Sequence, residues 1–181
     1  IDPWLISHGA LVKVLDSGMP HSTIRAFQNR AYDVTKSIPA VYLRNEDYGR
    51  AARLIESGEK VEMEFDIVNR THPGTTTWNV LADIRGSEHP EEIVMIGAHL
   101  DSWHAATGAT DNATGVAVMM EAVRILQALQ LKPRRTIRIA LWSAEEQGLL
   151  GSKFHVRANY GTFEQPMADF DKLVAYLNLD S

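Results

Sequence analysis

His99, Asp101 and Asp111 fall close together in the stretch Ile93–Asp111, IVMIGAHLDSWHAATGATD. Imidazoles and carboxylates are the donors that hold zinc and similar cations, and a carboxylate can also carry a proton during hydrolysis. Glu145 and Glu146 follow the apolar run Thr136–Trp142, and Asp180 follows the run Leu173–Leu179. In all three places an apolar segment ends in His, Glu or Asp. Open α/β sheets place ligands beyond the carboxyl ends of their strands, so three separate segments would deliver their polar residues to one rim. The chain has no cysteine, which excludes disulfides and thiolate zinc sites. Any metal must sit on histidine and carboxylates.

Each residue has a plainer explanation. A lone histidine is more often a satisfied structural residue than a ligand. Asp101 changes that balance for His99, because a carboxylate two residues on can accept the other imidazole N–H and fix the ring. Asp111 opens a helix and could be an N-cap, or a carboxylate shared by two metals. Glu145 and Glu146 could favour a helix N-terminus through its dipole. As neighbours they also point to different sides, so one could bind metal while the other handles protons. Asp180, behind Val174, Ala175, Leu177 and Leu179, is expected to be buried and to need a cation or donors. The plain explanations hold singly, but their coincidence in the segments that follow three strands points to a site.

The elements that must position these residues can be read from the apolar pattern. Ile93–Ile96 has the β-branched character of a buried strand, broken at Gly97-Ala98. A helix fits Ala113–Gln130, with Val116, Met119, Met120, Val123, Leu126 and Leu129 inward and Pro133 beyond its end. A strand to Trp142, a helix from Glu145 to about Asn159 and a strand over Leu173–Leu179 complete a β-α-β-α-β order. The fold class is α/β, with a mostly parallel mixed sheet, helices on both faces and right-handed crossovers. Upstream, Val61, Met63, Phe65 and Ile67 alternate with polar residues as a half-exposed strand. A turn through Arg70–Thr76 would return the chain as a hairpin over Thr77–Ile84.

Residues 1–59 read differently. Gly9–Leu15 and Ala40–Leu43 are short strands, residues 18–37 are loop with one turn of helix, and Asn45 caps a helix running to about Ser57 with Gly58 as its stop. Two domains follow, residues 1–59 and residues 60–181. The apolar fraction of 45% and charged fraction of 23% are ordinary for a globular protein. Net charge is −5, from 18 basic and 23 acidic residues, with no basic-aromatic stripe, which argues against nucleic acid as a partner. No apolar run is long enough to span a membrane. Two N-x-T sequons, at Asn69 and Asn112, read as coincidence, since the second abuts Asp111.

The pieces GAHLDSW, GATDNATGVA, ALWSAEEQGLLGS and YLNLDS together resemble the co-catalytic zinc exopeptidases of metallopeptidase clan MH, the bacterial leucyl aminopeptidase type. Within it they are most similar to the carboxypeptidase Q, or plasma glutamate carboxypeptidase, branch. The resemblance covers about Val61–Ser181. It implies two zinc ions in a complete site. His99 and Asp180 would bind one, Glu146 the other, and Asp111 both, its bond to Asn112 being typically cis. Asp101 would orient His99, and Glu145 would be the general base in hydrolysis of a peptide or dipeptide substrate. Residues 1–59 resemble the later part of a protease-associated domain, a substrate-contacting module.

One departure shapes the expectation. The family supplies a last histidine to the zinc held by Glu146 from beyond the position where this sequence stops. His72, His89, His104 and His155 lie in the wrong segments to replace it. The sequence therefore reads as an amino-terminal part of a peptidase, with one zinc on His99, Asp111 and Asp180, a second site depleted, and a sheet lacking its last strands. That points to exposed apolar surface and to self-association or completion by another chain. The family's members are mostly secreted, periplasmic or vesicular, which implies a secreted or periplasmic location. Rival expectations are a single-metal zinc acyltransferase of the glutaminyl cyclase type, a receptor-like relative without metals and a purely structural module. Retention of Glu145 beside the ligand positions favours hydrolysis.

Overall fold

The computed structural model describes residues 1–25, 36–68, 70, 72, 74 and 76–180. The chain divides into two compact units, Ile1–Pro73 and Gly74–Ser181.

The first unit contains a short helix, α1 (Asp2–Ser7), then strand β1 (Lys13–Asp16), strand β2 (Ala40–Leu43) and helix α2 (Asn45–Glu56). The two strands pair in parallel, Lys13 opposite Ala40 through Asp16 opposite Leu43. The helix α1 was not anticipated: Pro3 sets its first turn, and Asp2 pairs with Lys13 at 2.7 Å. The cap predicted at Asn45 is not made. Its side chain instead donates to Asp16 Oδ2 at 2.9 Å, and the helix begins after Arg44 without a side-chain cap. Part of the loop expected over 18–37 lies outside the described residues, as do Asn69 and Thr71 of the first sequon.

Val61–Ile67 forms no strand, so the predicted hairpin is absent. Val61 and Met63 lie instead beside Tyr48, Ala51, Ala52 and Ile55 of α2, around an apolar groove. Alternation satisfied the strand template, but Val61 and Met63 are placed against a helix, Phe65 and Ile67 are exposed, and none finds a ladder partner.

The second unit is a four-stranded mixed sheet in the order β3-β5-β4-β6. Its strands are β3 (Val80–Ile84), β4 (His89–His99), β5 (Arg135–Trp142) and β6 (Leu173–Asn178). β4, β5 and β6 are parallel, and β3 runs antiparallel to β5. Helix α3 (Gly115–Ala128) follows β4, and α4 (Leu150–Asn159) follows β5. Each face of the sheet has its own core. On one face, Ala98, Ile139 and Leu141 are buried against Val116, Met119 and Val123 of α3. On the other, Met95, Ala140 and Trp142 pack with Tyr160, just after α4. The predicted α/β class with helices on both faces is therefore what these residues build.

Register decides which face carries the chemistry. In β4 and β5, His99 lies opposite Trp142, Gly97 opposite Ala140 and Met95 opposite Arg138. Directly paired residues of a parallel ladder share a face, so His99 stands on the side of Trp142 and α4. Met95 and Gly97 also pair with Tyr176 and Asn178 of β6, which extends that face towards Asp180.

His155 of α4 reaches into this core, with its ring centroid 5.3 Å from Trp142 and 5.8 Å from Tyr160. Its Nε2 meets no hydrogen-bond partner among the described residues. Burial, reinforced by the charge of Arg138, holds the imidazole below its ordinary value of 6.5. Above that value the ring is neutral in both folded and unfolded chains. As pH falls below it, the unfolded chain takes up a proton that the folded chain refuses, and stability drops towards the folded value. A His155→Phe variant is expected to lose less of its thermal midpoint than the wild type between pH 7.5 and pH 5. An identical decline in both would show that His155 does not contribute.

Candidate metal centre

Three turns carry the polar residues beyond the carboxyl ends of β4, β5 and β6. His99 ends β4 and is 2% exposed. Its Nδ1 is 2.9 Å from the backbone oxygen of Asp101. A carbonyl only accepts, so Nδ1 must carry the proton, and in the neutral ring Nε2 presents a lone pair. That Nε2 faces Asp111 Oδ1 at 2.9 Å and Asp180 Oδ1 at 3.3 Å. A lone pair aimed at two carboxylates requires a cation between them, either a proton or a metal ion. Two zinc ligands at bond lengths of about 2.0–2.1 Å subtend about 3.3 Å in a tetrahedral site, which matches the Asp180 separation, while the Asp111 separation is that of a hydrogen bond. His99, Glu145 and Asp180 offer ligand atoms that all lie within 4.8 Å of one another, and imidazole with carboxylates is a donor set that zinc takes.

The electrostatics lead to the same requirement. Burial alone would lower the His99 value, but Asp180, Glu145, Asp101 and Asp111 outweigh it and raise the value. Glu145 is pushed up by burial and then by Asp180, Asp101 and Asp111, against the opposing effect of His99. Glu146, which is buried, is pushed up by burial and then by Asp111. Carboxylates crowd round one imidazole, and a divalent cation would relieve their mutual repulsion.

Asp101 does a different job from the one predicted. Its carboxylate is 3.6 Å from His99 Nδ1, too far for a hydrogen bond, and the backbone oxygen takes that N–H instead. The carboxylate accepts the backbone N–H groups of Glu145 and Glu146 at 3.0 and 3.2 Å. Asp101 thus ties the turn bearing both glutamates to the end of β4.

That turn also corrects the helix expected from Glu145. α4 begins only at Leu150. Ala144, Gly148 and Leu149 have φ of 51°, 119° and 62°, which right-handed helix excludes. Left-handed backbone at Ala144 and Leu149 is uncommon for side chains of those kinds and is held here by its surroundings. Asn79, which sequence reasoning passed over, contributes to that support. Its Oδ1 accepts the Ser143 N–H at 3.1 Å, and its Nδ2 donates to Gly151 O at 2.9 Å. A single asparagine ahead of a strand gives no sequence signal for such a role.

Asp111 is not an N-cap. It lies in a wide turn, Ala109–Thr114, with non-helical φ/ψ at Asp111 and Asn112, and the bond between them is cis. Asp180 lies exposed rather than buried, because β6 is an edge strand of this sheet and five of its six residues are exposed. His104 is an exposed turn residue.

Beside the cluster is a cavity of about 220 Å³ lined by His99, Trp142, Glu145, Leu149, Ser152, Tyr176, Asn178 and Asp180. Trp142 Nε1 donates to the Tyr176 hydroxyl at 2.6 Å, which donates to Asn178 Oδ1 at 2.6 Å. The strand passes this contact at Gly97, where a Cβ would come within 2.7 Å of the Tyr176 oxygen and 2.9 Å of Trp142 Nε1. Only glycine fits there.

Among the described residues a second His-carboxylate group, His89, Glu91 and Glu92, gathers at the other end of β4. Glu92 is already paired with Arg135, and the His89–Glu91 separation is 4.0 Å. A metal there would have to displace a guanidinium.

Comparison with known proteins adds an independent line. Residues 79–181 match the sequence profile described as Peptidase family M28. Mouse carboxypeptidase Q is 37% identical over 133 residues, 74% of this chain and 27% of that protein. A protein described as probable leucine aminopeptidase 2 of Arthroderma benhamiae is 36% identical over 80% of this chain and 27% of its own length. The chain thus spans about a quarter of the length of these relatives. A Peptidase M28 precursor from Shewanella amazonensis superposes with a TM-score of 0.69 and 32% identity, over 96% of this chain and 38% of that one. An aminopeptidase from Aneurinibacillus, at 23% identity and a TM-score of 0.66, shares the fold.

Proposed function

This chain belongs to peptidase family M28, and from that premise we propose that it is the site-bearing part of a zinc-dependent exopeptidase acting as an aminopeptidase or dipeptidase. The observation that carries the reading is His99 Nε2, set 2.9 and 3.3 Å from the carboxylates of Asp111 and Asp180 with its other nitrogen already committed to a carbonyl. His99, Asp111 and Asp180 would hold one zinc, and Asp111 with Glu146 a second. Asp111 both contacts His99 and is the leading charge acting on Glu146, which supports a shared position.

When bound, paired zinc ions polarise the scissile carbonyl and lower the pKa of water. The remaining work falls to the chain's own side chains. Glu145 shares a ligand-sized cluster with His99 and Asp180. Its carboxylate takes the proton of the attacking water and returns it to the leaving amine. Without metal, burial and its acidic neighbours raise its pKa. Asp101 keeps that carboxylate in place through the turn backbone. Trp142, Leu149 and Tyr176 form an apolar wall beside the reacting centre.

Zinc content measured after dialysis, together with leucine-amide and dipeptide hydrolysis, tests the proposal. Bound zinc in the wild type, lost on His99→Ala, is the expected result. No zinc at any stoichiometry would overturn the reading in favour of a metal-free relative.

A further inference from the structure

We infer that Asn112 is a positioning residue that locks the carriers of Asp111 and Asp180 together, so that metal affinity depends on a side chain that need not touch the metal. The inference rests on the metal reading above.

Asn112 is 1% exposed and the largest fully buried side chain among the described residues. Its neighbour on one side is Asp111. Its Nδ2 donates to Leu179 O at 2.9 Å, and Leu179 is the residue before Asp180. Its Oδ1 accepts the Gly115 N–H at 3.2 Å, at the start of α3. The amide orientation is fixed by its partners, since a carbonyl can only accept and a backbone N–H can only donate. Leu179 is gripped from its other side as well, its N–H donating to Gly97 O at 3.0 Å. The backbone that presents Asp180 is therefore held between β4 and Asn112.

The fit leaves no room for substitution nearby. A Cβ on Gly115 would fall 2.3 Å from Asn112 Oδ1 and 2.7 Å from Leu179 O. An amide so enclosed cannot be exchanged for water, and losing it leaves a buried carbonyl unpaired. Two carboxylates that both face His99 Nε2 depend on one amide for their separation.

The test is a competitive-chelator titration of zinc, with visible spectra of the cobalt(II)-loaded chain and amide hydrogen exchange of the metal-free chain. Asn112→Ala and Asn112→Asp are expected to weaken zinc about 10- to 100-fold, the range for residues that orient ligands, and to alter the cobalt bands. Gly115→Ala, which displaces the amide without removing it, should act in the same direction and stands in if the Asn112 variants do not fold. Thr136→Val is the control, because buried Thr136 accepts the Gly86 N–H and donates to Pro90 O away from the site. It should lower the melting temperature yet leave zinc affinity and the cobalt spectrum unchanged. The metal-free readout separates the two ideas. Faster exchange at Leu179 in Asn112→Ala supports the lock even if the wild type binds no zinc, in which case the metal reading fails alone. Unchanged exchange at Leu179, or wild-type zinc affinity and cobalt bands in folded Asn112→Ala, would overturn the lock.

Discussion

A Glu145→Gln variant is expected to lose peptide hydrolysis by about 10²–10⁴-fold, the contribution of a positioned general base, with its zinc content unchanged. The substitution keeps size and shape, and the backbone N–H of residue 145 still reaches Asp101. The turn should therefore stand as before. What disappears is the oxygen able to take a proton. Glu145 is the group in the cluster for which this loss matters, because its carboxylate lines the cavity beside His99 and Asp180. Turnover at the wild-type rate, with zinc measured in the same sample, would remove Glu145 from the mechanism.

The second large effect concerns the metal itself. Asp111→Ala is expected to abolish all zinc binding that the wild type shows, as measured by atomic absorption after gel filtration. His99 would keep Asp180 opposite its Nε2 with only the proposed base, Glu145, within ligand reach, and Glu146 would lose the carboxylate that acts on it most strongly. Structural and catalytic zinc sites use at least three protein ligands, so His99 and Asp180 fall short while Glu145 stays free as the base. Retention of full zinc occupancy would overturn the shared role of Asp111.

Much of the site was legible because its signal lies in residue type at strand ends. Ile93–Ile96, Thr136–Trp142 and Leu173–Leu179 are apolar runs whose ends could be placed by period and length, and the folded sheet has strands at all three. The topology brought the strand-end residues to one rim, the resemblance supplied the set His99, Asp111 and Asp180, and the structure puts both aspartates within 3.3 Å of His99 Nε2. What stayed hidden depends on backbone rather than side-chain type. The left-handed residues Ala144 and Leu149 defer α4 to Leu150, and neither alanine nor leucine announces such a turn. Asp101 was assigned to the nearer partner in sequence, whereas its carboxylate turns to amides of the next strand's exit turn. The strand expected at Val61–Ile67 shows the converse, a pattern with period two of which only Val61 and Met63 lie beside a helix.

The parallel arrangement of β4, β5 and β6 has a consequence for how the protein reaches its native state. Parallel neighbours need a crossover between them, so each pairing closes a long loop before any contact rewards it. His99, Glu145 and Asp180 belong to three different strand exits, and no local segment holds more than a part of the set. A synthetic peptide spanning IVMIGAHLDSWHAATGATD would carry His99, Asp101 and Asp111 but not Glu145 or Asp180. A metal site built on His99 and Asp180 would therefore need β6 paired beside β4 as well as the local segment formed.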